Sequence, residues 1–288
     1  METKLDQKRM ERVQKSCGFS NGIDVEAEGT RGGLCLAWKG EIDVSLKSFS
    51  KWHIEAFIEE EGVHKKWQFT GFYRSPYLKE KDLAWDLLRR LSQESNYPWL
   101  VTGDFNEIMY GFEKKGGAQR DHKKMEAFRE TLEDCQLQDI GYSGTWFTWE
   151  RGNLLETNIR ERLDRGVANE KWLNLFPMGK MQHLPYSMSD HCFILLSWWT
   201  LEETTEQIIK DFWELNAESL MTLIKELEIL LNQERDDETM ARIIDNKIQL
   251  NMEIDKDEMY WEQRARANWL QLGDKNSAFF HRCATARK

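Results

Sequence analysis

Residues 100–109 read LVTGDFNEIM, and this stretch places a short apolar run directly before Gly103, Asp104 and Asn106. A short apolar run that ends at turn residues predicts a buried β-strand. If the backbone stays extended, Asp104 and Asn106 point to the same side and converge at the edge of a sheet, which suits a metal or phosphate site. The same residues are typical of a turn, with glycine at positive φ and Asx side chains bonded to the backbone. Both interpretations stay open on this stretch alone.

Length and composition limit the class of protein. The chain has 288 residues, of which 40% are hydrophobic and 12% aromatic, so it can form a large domain with an extension, or two domains. Its formal net charge of −10 argues against non-specific coating of polyanions, because that binding depends on Lys and Arg displacing counterions. Any contact with nucleic acid is therefore expected to be local or metal-assisted.

The cysteines and the apolar segments indicate the compartment. Five cysteines without a C-x-x-C pair disfavour a disulfide framework and a zinc site, and they favour a reducing compartment. No apolar run approaches the roughly 18 residues of a membrane span. The N-terminal METKLDQKRM lacks the apolar segment of a signal peptide. We therefore expect a soluble intracellular protein, nuclear or cytoplasmic, with no membrane partner.

The pattern of elements changes near residue 200. Before it, strand-like runs, Gly-rich turns and helical patterns interleave, and several adjacent strands lack an intervening helix, which predicts an α+β fold (an α/β sandwich). After it, apolar residues recur at helical spacing on two segments separated by QERDDET, which predicts a helical hairpin. The predicted domains are residues 1–199 and 200–288.

Acidic and imidazole side chains also occur within or beside apolar runs in other parts of the first domain. They are Glu2, Asp164 and the adjacent Asp190 and His191. Each has a simple structural explanation by itself: a solvated terminus, a surface ion pair or the start of a strand. Together they match the needs of phosphodiester hydrolysis, which are carboxylate oxygens for a hard cation, a positioned water and donors for transition-state charge. Glu2 and Asp190 would then hold the cation.

The remaining polar residues complete this hypothesis. Asp104 and Asn106 would hold the attacking water, and His191, oriented by Asp164, would face the phosphate. The sequence has neither the G-x-S-x-G of acyl-transfer enzymes nor the G-x-x-x-x-G-K-[ST] that cradles nucleotides.

Five segments in order, METK, GFYRSP, TGDFNEI, ERLDR and SDHCFI, resemble the endonuclease/exonuclease/phosphatase superfamily of the abasic-site endonucleases and DNase I. GGAQR, FRETLEDCQLQDIGYSGTWFTWERGN and ERLDRGVANEKWLNLFP resemble the endonuclease region of plant LINE-type non-LTR retrotransposons. RARANWLQLGDKNSAFFHRCATARK is similar to the linker that precedes the reverse transcriptase in those polyproteins.

The resemblance implies a DNase I-like fold, with two packed β-sheets flanked by helices, followed here by the C-terminal helical hairpin. It implies a Mg²⁺ cofactor, with Mn²⁺ as an alternative, DNA as the substrate and target-site nicking as the reaction. It also suggests that the C-terminal helices contact a reverse transcriptase domain.

The resemblance also assigns roles to residues. Tyr73 would contact the scissile phosphate, and Asp190 would be a further acid at the metal site. The other residues that match family motifs are the metal ligand Glu2, the water-handling pair Asp104 and Asn106, the acid Asp164 and its partner, the catalytic histidine His191. Whether this histidine acts as a general base or as an electrostatic stabiliser stays open, since an Asp–His pair suits both roles.

Two departures from the family pattern affect the expected activity. The family opens with a strand of the form W-N-x-R-G, which is absent before Glu2, and Phe193 stands where the family usually has Pro. Loss of the first strand is expected to impair catalysis, because catalytic groups need placement within roughly 0.5 Å. An inactive remnant or interaction module that retains the fold is therefore the alternative function. A phosphatase of small phosphomonoesters or inositol phosphates is a third.

Basic and aromatic residues beside these motifs have two interpretations each. Arg31, Arg120 and Arg160 would contact DNA phosphates, or they would belong to a solvated loop surface. The aromatic residues of GTWFTWE, residues 144–150, alternate as in a strand and are predicted to be core, with a minor-groove wedge as the other interpretation.

Overall fold

The computed structural model describes residues 10–11, 14, 19–28, 31–38, 42–59, 65–75, 81–94, 96–185, 189–197 and 217–272. The chain divides into two units, Met1–Thr200 and Leu201–Lys288. The strands are β1 (Asn21–Glu28), β2 (Arg31–Trp38), β3 (Asp43–Ser50), β4 (His53–Glu59), β5 (Lys66–Tyr73), β6 (Trp99–Asp104), β7 (Lys114–Lys115), β8 (Gln138–Asp139), β9 (Tyr142–Gly144), β10 (Trp149–Arg151), β11 (Ile159–Glu161), β12 (Asp164–Ala168), β13 (Lys180–Leu184) and β14 (Phe193–Ser197). The helices are α1 (Lys81–Gln93), α2 (His122–Asp134), α3 (Glu170–Leu175), α4 (Ala217–Asn232) and α5 (Asp237–Leu272).

The stretch at residues 100–109 forms the middle of a six-stranded sheet of order β3-β4-β5-β6-β12-β8. Strand β6 pairs in parallel with β5 and antiparallel with β12. Leu100 and Val101 are both fully buried, and they belong to two different core clusters. Successive side chains of a strand point to opposite faces, so the sheet is covered on both faces here. This burial explains why the run is apolar without alternation.

Helices α1 and α2 pack their apolar sides in one of these clusters. The Trp85 ring stacks on Phe128 at a centroid distance of 4.8 Å, and Phe105 approaches Phe128 at 5.3 Å. Asp121 caps the N-terminus of α2, since its side chain accepts a hydrogen bond from the Lys123 amide. The opposite cluster contains Trp67 and residues of α3.

Shorter ladders complete the first unit, in the orders β14-β13-β9, β10-β11-β7 and β1-β2. Strand β13 contributes the buried Met181, whose sulfur accepts from the Thr102 hydroxyl of β6 at 3.9 Å. The Met181 side chain also packs closely on Gly166 of β12, and a Cβ at this glycine would clash with it. Two sheets therefore pack against each other through this methionine, and the predicted α+β sandwich is confirmed.

The second unit is a helical hairpin, as the sequence predicts. Helices α4 and α5 bury a shared apolar seam that includes Leu220, Leu227 and Ile243. The Asp236 side chain caps α5 by accepting a hydrogen bond from the Thr239 amide at 2.7 Å. In the part of the chain that the structure describes, no helix is long and apolar enough to cross a membrane.

We expect His53 to make stability depend on pH. Burial, and to a lesser degree Arg90 and Lys47, lower the pKa of His53 from 6.5 to about 4. Its two ring nitrogens contact the hydroxyls of Ser48 and Ser50 at 2.9 and 2.8 Å. Because the unfolded chain binds this proton more readily, the contribution of His53 to stability falls as pH drops from 6.5 toward 4. The loss is about 2 kcal/mol at pH 5.

The measurement is urea unfolding of wild type and His53→Gln at pH 7 and pH 5. Glutamine keeps a donor and an acceptor but does not titrate, so its stability should fall less between the two pH values. Equal losses for both proteins would contradict the prediction.

Candidate active site

Three neighbouring strands of the six-stranded sheet bring polar side chains into one row. Tyr73 at the end of β5 pairs with Asp104 at the end of β6. Asp164 at the start of β12 pairs with Asp104 from the other side. Residues directly opposite each other on adjacent strands place their side chains on the same face. The sheet register therefore collects three of the predicted site residues.

The end of β6 depends on a close approach between backbones. Gly103 has a φ of 147°, and a Cβ at this position would lie 1.9 Å from the carbonyl oxygen of Phe72 on β5. A side chain is therefore excluded, both by the left-handed conformation and by the neighbouring strand. Glycine at this position allows β5 and β6 to stay paired as far as Asp104.

Asn106 reaches Asp104 through a turn and not through a continued strand. Its φ is +50°, and its amide nitrogen donates to the Asp104 carboxylate at 2.8 Å. Its side-chain nitrogen donates to the same carboxylate at 2.5 Å and to the Arg74 carbonyl at 2.8 Å. The structure therefore contains both features that the sequence left open, a turn and two polar side chains close together. The turn is what brings Asn106 to Asp104.

Arg74 supports this turn from inside the protein, a role that the sequence did not indicate. Its guanidinium is buried and donates to the carbonyl oxygens of Phe105 and Asn106, both at 3.4 Å. It also lies 3.6 Å from the buried Glu107 carboxylate and 4.3 Å from the centre of the Trp85 ring. The cation is therefore paired and the turn is fixed on the core.

His191 and Asp164 form a hydrogen-bonded ion pair, as predicted. The His191 Nδ1 lies 2.8 Å from the Asp164 carboxylate, which is buried. Burial opposes the charged imidazole, but the hydrogen bond and charge of Asp164, with further charge from Asp104 and Asp190, raise the pKa of His191 to about 9. The imidazole is therefore protonated at neutral pH, which suits a hydrogen-bond donor and stabiliser of negative charge better than a general base.

Thr148 links the backbone beside the two residues of this pair, a role that no motif in the sequence indicates. Its buried hydroxyl accepts hydrogen bonds from the amides of Leu163 and Asp164, both at 2.9 Å. Its carbonyl oxygen accepts from the Cys192 amide at 2.7 Å. One residue therefore fixes the backbone next to both Asp164 and His191.

Asp190 lies beside the pair but is more exposed. Its carboxylate accepts a hydrogen bond from the Trp149 indole nitrogen at 3.0 Å, and its carbonyl accepts from the Glu150 amide. Glu2, the other predicted metal ligand, lies outside the described residues. Both assignments stay predictions.

The end of the sheet holds a group of side chains that could bind a metal ion. One ligand atom from each of Asp104, Asp164 and His191 lies within 4.8 Å of the others. Carboxylate oxygens are the ligands that Mg²⁺ and Mn²⁺ favour. Because His191 already donates to Asp164, the Asp104 oxygens are better placed than the imidazole to bind such an ion.

Two of the three predicted DNA-binding arginines have partners within the protein. Arg120 pairs with the Glu161 carboxylate, at 2.9 Å from its Nε, and lies 3.5 Å from Glu107. Arg160 is buried and lies 4.9 Å from the centre of the Phe147 ring. The Arg31 backbone belongs to β2, and its side chain lies outside the described residues. Their roles in substrate binding stay predictions.

Comparison with known families agrees with this geometry. The model of the Endonuclease/Exonuclease/phosphatase family matches residues 2–191, which is more than half of the chain. The chain therefore belongs to the endonuclease/exonuclease/phosphatase family, whose reactions include phosphodiester hydrolysis and whose enzymes depend on divalent metal ions.

Solved structures support the same fold. The endonuclease domain of TRAS1, a telomere-specific non-LTR retrotransposon, aligns with a TM-score of 0.51 and 14% identity, over 69% of this chain and 95% of that chain. This likeness confirms the predicted DNase I-like fold.

Other structures are less similar. A mannosyl-6-phosphatase from Bacteroides thetaiotaomicron aligns with a TM-score of 0.42 and 15% identity, over 67% of this chain and 82% of that chain. A humanized TDP2 from D. rerio aligns with a TM-score of 0.43 and 14% identity, over 68% and 83%. A comparison with curated proteins finds no match.

We expect the Thr148 hydroxyl to stabilise the fold beside the Asp164–His191 pair. Thr148→Val keeps the shape of the side chain but leaves the Leu163 and Asp164 amides without an acceptor. An unsatisfied buried donor costs about 1–3 kcal/mol, so the loss should be at least about 2 kcal/mol in the free energy of unfolding by urea. Thr148→Ser keeps the acceptor and removes one methyl, for about 1 kcal/mol. Valine and serine variants of equal stability would contradict this role.

Proposed function

We propose that this chain is a Mg²⁺-dependent DNA endonuclease of a LINE-type retrotransposon, which nicks its target site. The observation that carries the proposal is the meeting of Asp104, Asp164 and His191 at one end of the central sheet. Membership of the family supports phosphodiester hydrolysis as the class of reaction. The motifs between Gly116 and Pro177 that resemble plant LINE endonucleases support the retrotransposon origin.

The proposed roles follow from charge and hydrogen bonding. His191, held as an imidazolium by Asp164, donates to a non-bridging phosphate oxygen and stabilises the negative charge of the transition state. Asp164 acts by fixing the tautomer and orientation of the imidazole. Tyr73, in register with Asp104, offers its phenol to the same phosphate. These groups stand on strands and on a turn anchored to the core, which limits their movement.

Asp104 is proposed to orient the attacking water and to accept its proton. Asn106 donates to Asp104 from both its backbone and its side chain, so the carboxylate cannot rotate freely. In this role Asn106 positions the carboxylate, and the carboxylate contacts the water.

The proposed metal ligands are Asp104 and Asp190, with Glu2 as the further ligand that the family resemblance implies. A divalent ion bound there would polarise the phosphate and neutralise the charge that develops during hydrolysis. Mn²⁺ is expected to substitute for Mg²⁺, because both ions favour carboxylate ligands.

Two further expectations stay predictions. One is that apolar side chains of the C-terminal segment, such as Trp261 and Trp269, contact a reverse transcriptase domain. The other is a nuclear or cytoplasmic location.

Substitution of the site should abolish nicking. In supercoiled plasmid with Mg²⁺, we expect Asp104→Ala and His191→Ala each to lower the rate of nicking at least about 100-fold, since each removes a group that acts on the reacting phosphate or water. Gel separation of supercoiled and open-circular plasmid measures the rate, and EDTA should stop the reaction in wild type.

Matched controls separate these effects from general damage. Asp86→Ala and His122→Ala remove an exposed carboxylate and an exposed imidazole from α1 and α2, and should leave the rate unchanged. A wild-type chain that never nicks DNA in Mg²⁺ or Mn²⁺ would contradict the proposal and favour the alternative of a non-catalytic interaction module.

A further inference from the structure

Four aromatic side chains form a continuous row on the surface of the first unit. Tyr110 stacks on Phe112 at 5.3 Å, Phe112 stacks on Trp146 at 6.0 Å, and Trp146 meets Tyr142 edge to face at 5.3 Å. Phe112 is 66% exposed, Tyr110 44% and Tyr142 37%. Single exposed aromatic residues are ordinary, whereas a row of touching, exposed rings marks an interaction surface.

The sequence predicts that part of this row is buried in the core. The alternation in residues 144–150 indicated an aromatic core, but the buried side chains there are Thr145 and Thr148, and Trp146 and Phe147 are only half-buried. Trp149 of the same segment does pack against a core cluster, formed by Ile108, Met125 and Leu163. Burial in the core therefore accounts for Trp149 and not for Trp146.

Cations support the rings from the protein side. The buried guanidinium of Arg162 lies 5.0 Å from the ring centres of both Tyr142 and Trp146. Arg129 lies 5.2 Å from the ring centre of Tyr110. Arg162 is itself held by Asp139 at 3.0 Å. Cation–π contacts of this kind fix the orientation of the rings before any ligand arrives.

A buried histidine supports the last ring of the row. His183 stacks on Tyr142 with a centroid distance of 5.2 Å and an angle of 12° between the rings. Its Nδ1 lies 2.8 Å from the Thr145 carbonyl oxygen, so the imidazole is fixed to the same segment. The buried imidazole of His183 therefore covers one face of the Tyr142 ring.

The row and the candidate active site share segments of the chain. Tyr110 follows the turn that begins at Asp104. Trp146 belongs to the segment of Thr148, which holds Asp164 through its hydroxyl.

The exposed rings favour unpaired bases as the occupant. A duplex presents phosphates and base edges, and its base faces are already stacked on one another. Unpaired bases have free faces that stack on aromatic side chains. Lys115, an exposed cation on the strand that follows Phe112, complements the phosphates between such bases.

We propose that the row of Tyr110, Phe112, Trp146 and Tyr142 binds the unpaired bases of single-stranded DNA next to the bond that is cut. This inference rests on the proposed endonuclease function for the place of the row beside the reacting phosphate. The binding itself needs no catalysis.

The test measures binding in EDTA, where hydrolysis does not occur. Fluorescence anisotropy is recorded with a labelled oligothymidine of about ten nucleotides, within the usual length of such binding sites, and with an abasic oligomer of the same length and charge. Stacking is worth about 1–3 kcal/mol per base, so Phe112→Ala and Tyr142→Ala should each weaken oligothymidine binding at least about fivefold. Binding of the abasic oligomer should be weaker in wild type and unchanged by either variant.

Three further variants separate stacking from loss of apolar area or of folding. Phe112→Trp keeps a stacking ring and should bind as wild type, whereas Phe112→Leu keeps an apolar side chain without a ring and should bind as Phe112→Ala. Phe49→Ala removes a phenylalanine that is 59% exposed on β3, outside the row, and should have no effect.

Two results would overturn the inference. The first is equal binding of oligothymidine and the abasic oligomer by wild type, and the second is a leucine variant that binds as tightly as the tryptophan variant. Neither result depends on nicking, so a chain that binds bases without cutting plasmid would contradict the proposed function and leave the base-binding surface supported.

Discussion

The pairing of β6 with β5 on one side and with β12 on the other is the constraint on which the site depends. It sets Tyr73, Asp104 and Asp164 in one row, and only a glycine at position 103 allows the first of these pairings to reach the end of the strand. Two further contacts fix the side chains and the backbone of that row. The turn at Asn106 locks the carboxylate of Asp104, and Thr148 joins Asp164 to the backbone beside His191.

A network of buried charges lies beside this row and keeps the short strands together. Glu113 pairs with Arg165 at 2.5 Å and lies 3.6 Å from Arg162, and both arginines contact Asp139. Buried ion pairs add little stability compared with apolar packing, but removing one partner is costly because the other charge is then left unpaired. Loss of one member of this network would therefore cost more stability than the intact network adds.

The sequence predicts the α+β class, the helical hairpin and the Asp164–His191 pair, because apolar periodicity and short motifs report local structure and residue chemistry. It does not predict where long-range partners lie. Arg120 follows a glycine-rich loop and is expected to contact DNA, but the sequence does not indicate that it forms ion pairs with Glu107 and Glu161. The roles of Arg74 and Thr148 are not evident from the sequence for the same reason, since both depend on backbone groups that only folding brings to them.

The hydrogen bonds of Thr148 also have a consequence for the order of folding. Its hydroxyl accepts a hydrogen bond from the amide at the start of β12, and its carbonyl accepts one from the amide that follows His191. The segment around Thr148 must therefore contact two segments that are synthesised later. Contacts of long sequence separation form late, because closing their loops costs entropy first. A nascent chain therefore cannot assemble the acid–imidazole pair until both later segments have left the ribosome and docked.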